Sequence, residues 1–132
     1  MIYREIFDAA LKAICVEATP EAADDYLERA PYLLGVFLNQ CAPIDQRYRK
    51  VNQLPAVTHQ TQWVMVNLES DFPLCDIFAP AAIYYLSAML VIDESEELSD
   101  KFFSLYTDAI ATIQAELACA QEKIVDRYGF MK

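Results

Sequence analysis

Residues 94–128 contain neither glycine nor proline, and along them Leu98, Phe102, Leu105, Tyr106, Ala109, Ile110, Ile113, Leu117, Ala120, Ile124 and Tyr128 keep to one side of a helical wheel. Apolar recurrence at three- and four-residue steps marks a helix with one buried face. Asp93-Glu94-Ser95-Glu96 supplies a start signal, and Gly129 stands where a C-terminal cap glycine is expected. At about 1.5 Å per residue this helix is roughly 50 Å long, more than the width of a compact domain of 132 residues. Part of it is therefore expected to project or to meet another subunit.

Upstream the helical pattern recurs. In residues 2–16, Ile2, Ile6, Phe7, Ala10, Leu11, Ala13 and Ile14 form an apolar face, with Arg4, Asp8 and Lys12 stacked opposite at four-residue steps. Thr19-Pro20-Glu21 offers an N-cap, a proline at the first helical position and an acid in the first turn, so a second helix starts there. Proline has no N–H to give and clashes with the preceding turn. Ala30-Pro31 therefore predicts a kink or a restart before residues 32–40, and Pro43 marks the end of that helix at the latest. After Asp71-Phe72-Pro73-Leu74 the period returns, with Asp76 as a cap, Pro80 near the start and residues 77–92 apolar nearly all round. That stretch of 16 residues, interrupted by Pro80, Tyr84, Tyr85 and Ser87, is shorter than the roughly 20 a membrane helix needs and reads as a central core helix.

Between Pro43 and Pro73 the helical period is lost. Trp63-Val64-Met65-Val66-Asn67-Leu68 has the β-branched and aromatic character of a strand, and Ala56-Val57-Thr58 could pair with it across a His59-Gln60-Thr61-Gln62 turn. No Asn-Gly or Asp-Gly fixes that turn, and an isolated hairpin is marginal in water, so it is expected to lean on the helices or on another chain. The expected fold is mainly α, with four to five helices, a long C-terminal helix and an inserted β-hairpin or extended loop. Residues 1–132 form one domain, with the hairpin or loop at about 51–70.

With 55% hydrophobic and 23% charged residues the chain belongs with folded proteins. Two glycines in the whole chain rule out, or nearly so, a phosphate-binding loop, a dinucleotide fingerprint and a glycine-dense β-sandwich. Twenty acidic against ten basic residues, a net charge of −10, argue against general binding to a phosphate backbone. Cys15, Cys41, Cys75 and Cys119 are spaced 26, 34 and 44 residues apart, with no CxxC pair and one histidine, His59, so zinc ligation is not expected. The charges within residues 2–16 argue against a signal peptide, and a cytosolic product with reduced thiols is the expectation.

Catalysis by nucleophilic attack would need a cysteine or serine beside His59. The four cysteines lie on or next to apolar helix segments, where a small buried hydrophobe is the plainer reading, and His59 falls in the expected turn. Carboxylate pairs such as Asp24-Asp25, Asp93-Glu94 and Glu96-Glu97 lack the Glu-x-x-His companion of helical metal sites, and those at helix starts answer the helix dipole. No catalysis, cofactor or metal is expected. Arg47-Tyr48-Arg49-Lys50 is the one basic cluster, and it suits a charge-complementary protein contact or a solvated loop. Trp63, the single tryptophan, suits either the hairpin core or an interface.

The run Leu54-Pro55-Ala56-Val57-Thr58, then Trp63-Val64-Met65-Val66-Asn67-Leu68 and Asp71-Phe72-Pro73-Leu74, resembles the head-tail connector or adaptor proteins of tailed bacteriophages and prophages. In that family an acid-x-Pro turn precedes an F-x-P-A-x-x-Y-x-x-A helix and, after an acidic link, a long helix carrying F-x-x-x-Y-x-x-A. Here Phe78, Pro80, Ala81, Tyr84 and Ser87-Ala88 stand in the first pattern and Phe102, Tyr106 and Ala109 in the second. The resemblance covers about residues 50–115, and its motifs are helix-packing motifs.

It implies a helical structural protein that assembles as a homo-oligomeric ring at the portal vertex and contacts the portal or tail-completion proteins. DNA would pass through that assembly without specific binding, and no membrane is involved. Such a protein is made in the bacterial host cytoplasm and carried in the virion. The expected interface residues are Arg47, Tyr48, Arg49, Lys50, Trp63 and Met65. The alternative is a small acidic regulatory or inhibitory protein of a mobile element that binds a basic protein partner, presenting carboxylates in place of phosphates; it predicts charge gathered on one face.

Overall fold

In the computed structural model the described residues are 1–14, 20–57 and 65–129, with side chains described at 1–14, 24–57 and 65–120. They form four α-helices, α1 (Tyr3–Ala13), α2 (Pro20–Val51), α3 (Ala79–Leu90) and α4 (Glu96–Gly129), with one 3-10 turn (Asp76–Phe78) ahead of α3. The chain is mainly helical, as its periodicity predicts, with four α-helices rather than five among the described residues.

The largest departure from the sequence pattern is α2, which runs unbroken through Pro31 and Pro43 and ends only at Val51. The expected restart after Pro31 and the expected end at Pro43 are overturned, since the helix is continuous through both. Each proline lacks the N–H that a helix normally sets toward the residue four earlier, and those residues, Leu27 and Asn39, are on the exposed side of α2. The opposite face of α2 buries Tyr26, Ala30, Leu34, Phe37, Leu38 and Cys41. Burying a continuous apolar stripe of that size is worth several kcal/mol at about 25 cal/mol per Å², enough to carry two proline defects of about 3 kcal/mol each. Past Val51 the helix closes with a Schellman motif: Leu54 N–H donates to Arg49 O (2.8 Å) and Gln53 N–H to Lys50 O (3.4 Å). Gln53 takes the left-handed position, with φ of 57°, where glycine is the usual occupant.

No strand occurs among the described residues; an isolated antiparallel bridge joins Ile2 to Asp71. The expected hairpin is corrected to that extent. Its described parts, residues 54–57 and 65–68, carry no ladder, whereas Thr58, the His59 turn, Trp63 and Val64 lie outside the described residues. The backbone groups a ladder would use are committed elsewhere. Val66 N–H donates to Pro31 O of α2 (3.2 Å), and Leu68 O and Ser70 O accept from Arg4 N–H (2.9 Å) and Tyr3 N–H (3.1 Å) in the first turn of α1. Segment 66–72 thus caps α1, whose first N–H groups have no partner within the helix.

At α3 the expected Asp76 cap is also corrected. Asp76 is exposed, the residue preceding the 3-10 turn is Cys75, and it makes no side-chain cap. Its N–H donates instead to Asp45 Oδ1 of α2 at 2.9 Å. The expectation for the helix itself is met: α3 lies at the centre, against α1, α2 and α4. Its fully buried Ala81, Ala82 and Ala88 let neighbouring helices approach closely. Ser95 caps α4, its Oγ accepting from Leu98 N–H (3.2 Å), and Ser99 Oγ ties α4 to α3 by donating to Ala88 O (2.8 Å).

An aromatic cluster sits where the elements meet. Phe37 of α2 lies 6.4 Å from Phe72, 5.8 Å from Tyr85 and 6.1 Å from Tyr106, and Tyr3 of α1 meets Phe72 edge-on at 5.8 Å. The residues that carry the family resemblance belong to this packing: Phe78, Ala81 and Phe102 are buried, and Tyr106 is half-buried. Among the described residues no helix is long and apolar enough to cross a membrane.

Candidate interaction surface

The C-terminal third of α2 carries a buried polar knot. Asp45 is fully buried, with Oδ2 accepting from Arg49 Nε at 2.9 Å and Oδ1 from Cys75 N–H at 2.9 Å. The Arg49 side chain, 15% exposed, also donates from Nη1 to Pro55 O (3.2 Å) and from Nη2 to Pro73 O (3.1 Å). One arginine therefore ties the end of α2 to both ends of the long α2–α3 connection. Burial pushes the Asp45 carboxyl up, but the Cys75 N–H and the Arg49 guanidinium outweigh it and hold the group below its ordinary value. Burial acts on Arg49 in the opposite sense and Asp45 again prevails, so the guanidinium stays charged.

Arg49 of this knot also lines a groove of about 430 Å³, together with Gln46, Lys50, Leu54, Ala56 and Val57. Leu54 and Val57 are exposed apolar side chains, and Lys50, an exposed cation, lines the groove with them; Arg47 is exposed three residues earlier on α2.

The expected interface residues thus divide. Arg47 and Lys50 face solvent, as a contact patch requires. Arg49 is an internal tie, and Tyr48 is half-buried, its ring edge-on to Phe78 at 6.2 Å. Four consecutive helical residues cannot share one face, because each step turns the helix by about 100°. Met65, 60% exposed, stands on the other arm of the connection, and Trp63 lies outside the described residues. Sequence reasoning missed Asp45. Its one signal was the four-residue spacing to Arg49, which many solvated helix pairs share.

A second charged region gathers at the far end of α2. Asp24, Asp25 and Glu28 there adjoin Asp93 and Glu94 of the α3–α4 turn, as Tyr26 Oη donates to Glu94 Oε1 at 2.5 Å and Arg29 donates to Met89 O at 2.9 Å. Glu96 and Glu97 of the first turn of α4 follow directly. The cations of this end are Lys101 and Arg29, the latter already paired with Asp25 at 3.4 Å. Leu27 and Ile92 are also exposed.

The thiols differ among themselves. Cys41 is buried against Tyr106, and burial pushes its pKa up to about 12; Cys75 is half-buried and pushed up to about 11, by burial and then by Asp45. Both stay protonated near neutral pH, the reverse of an activated nucleophile. Cys119 is exposed, so the buried-hydrophobe reading is corrected for it, and Cys15 and His59 lie outside the described residues. Among the described residues no group of three histidines, cysteines or carboxylates could hold a metal ion. No family model, curated protein or solved structure matches the chain.

Proposed function

We propose that the chain is a structural subunit of virion assembly, a head-tail connector or adaptor of a tailed bacteriophage or prophage that forms a ring at the portal vertex. The observation that carries this reading is α4. Its 34 residues extend about 51 Å, a long reach for a chain of 132 residues. A helix of that length has a use in an assembly, where a neighbouring copy can pack against part of it. The α2–α3 connection supports the same reading, with Met65 exposed on it.

In this role the protein works by shape and charge, with no chemistry of its own. It is made in the host cytoplasm, joins portal or tail-completion proteins, and lets DNA pass without gripping it, since a −10 chain repels phosphates. Binding to the portal or tail-completion protein tests this directly. Trp63→Ala is expected to weaken assembly on the portal more than added salt does, because apolar contact holds it; a chain that binds neither protein contradicts the proposal.

The acids gathered around Asp24, Glu28 and Asp93 favour a second reading, an acidic inhibitor of a basic protein. Its affinity would fall steeply with salt and would not respond to Trp63→Ala.

A further inference from the structure

The groove at the end of α2 has a one-sided chemistry. Leu54, Ala56 and Val57 line it from the connection and Gln46, Arg49 and Lys50 from α2, and none of the chain's 20 acidic residues is among them. Arg49 is committed to the protein itself, with Nε on Asp45 and its other nitrogens on Pro55 O and Pro73 O, and its charge is balanced by the fully buried Asp45. Lys50 is therefore the uncompensated charge of the groove. Lys50 and Gln46, one helical turn apart, have no side-chain partner among the described residues, and the backbone N–H groups of Ala56 and Val57 have none there either.

We propose that this groove docks an acidic peptide segment of another protein, one that sets a carboxylate on Lys50 and a large apolar side chain beside it against Leu54 and Val57. Three features point to that occupant. The first is charge: a cation without an acid among its neighbours in the lining is complemented by a carboxylate, and because the Debye length is about 8 Å at physiological ionic strength, the lining counts for more than the distant acids of a −10 chain. The second is the apolar wall, where Leu54 is 42% and Val57 37% exposed, in a groove whose volume of about 430 Å³ falls within the roughly 300–1,000 Å³ of ligand sites. The third is its openness. Five of the six lining residues are exposed, so a free small molecule would keep much of its surface in water, whereas a segment held by the rest of its own protein does not depend on enclosure. Arg49 also fastens both ends of the connection to α2, so one wall of the groove is set before the peptide arrives and little ordering opposes binding. The docking stands apart from the assembly reading, since it assigns the chemistry of a partner whether or not copies form a ring.

The test is a titration of the isotope-labelled wild-type chain, followed by its amide NMR shifts, with the end-blocked peptide Asp-Trp-Glu-Leu-Asp-Glu. Saturable shifts are expected at Lys50, Leu54, Ala56 and Val57, with a Kd below about 1 mM. The same peptide with lysine in place of each acid should bind about tenfold more weakly or worse, and because this comparison uses the unaltered chain a folding defect cannot imitate it. Lys50→Glu should weaken the acidic peptide by a similar factor and Val57→Asp should abolish its binding, whereas Lys101→Glu, at an exposed cation of α4, should leave it unchanged. The proposal is overturned by shifts that fail to saturate, by saturable shifts only at residues outside the groove, or by equal binding of the lysine peptide. Indole-3-acetate binding as tightly as the peptide assigns the groove to a small carboxylate and overturns it too. Portal binding by a chain that does not take the peptide leaves the assembly reading standing without this site; peptide binding by a chain that does not take the portal leaves the site and removes that reading.

Discussion

Replacing Asp45 with alanine would leave the Arg49 guanidinium and the Cys75 N–H facing an empty space that water barely reaches. Both lose an acceptor held at 2.9 Å, and breaking a buried ion pair on one side costs about 3–5 kcal/mol because the remaining charge is uncompensated. Asp45→Ala is therefore expected to lower stability by about 3 kcal/mol in urea unfolding, and an unchanged midpoint would contradict the knot. The pH dependence follows from the lowered Asp45 pKa. A carboxyl held below its unfolded value of about 3.9 contributes stability that is complete above that value and is lost as pH falls through the folded one. Wild-type stability should then fall steeply below about pH 4, and Asp45→Asn, which has no charge to lose, should be less stable at pH 7 with a shallower fall in acid. None of this was legible beforehand, because the sequence places Asp45 and Arg49 one turn apart but does not place Cys75 or Pro73 beside them.

At the scale of elements the sequence was read well where period and cap agree and badly where a local rule met a tertiary one. α1, α3 and α4 follow their apolar spacing, and Ser95 caps α4 within the start signal. α2 defeats the proline rule because Pro31 and Pro43 interrupt a helix whose inner face is held by Phe37, Leu38 and Cys41. A proline tolerated for the sake of a buried face should be improved by removal. Pro43 is exposed, so Pro43→Ala is expected to raise stability by about 1–2 kcal/mol, less than the full helix-interior cost because proline also stiffens the unfolded chain. A destabilised variant would mean that the helix breaks at Pro43. The hairpin was misread over residues 65–68 for a related reason: an alternating apolar segment serves equally well as a strip laid over helix ends, and the open N–H groups of α1 claim Leu68 O and Ser70 O.

For the molecule as a whole, total charge conceals the arrangement. A net −10 suggests a uniformly acidic particle, yet α2 carries exposed Asp24, Asp25 and Glu28 near one end and exposed Arg47 and Lys50 near the other. The basic cluster was visible in the sequence, but its division into outward Arg47 and Lys50 and inward Tyr48 and Arg49 was not, since that depends on the register of a helix expected to have ended at Pro43. The most direct measurement is the mass of the wild-type chain by light scattering over a range of concentrations, alone and with the portal protein. The account predicts a mass that climbs from 15.0 kDa into multiples as copies associate, or that does so once the portal is present. A constant 15.0 kDa at every concentration, with no complex formed on the portal, would contradict it.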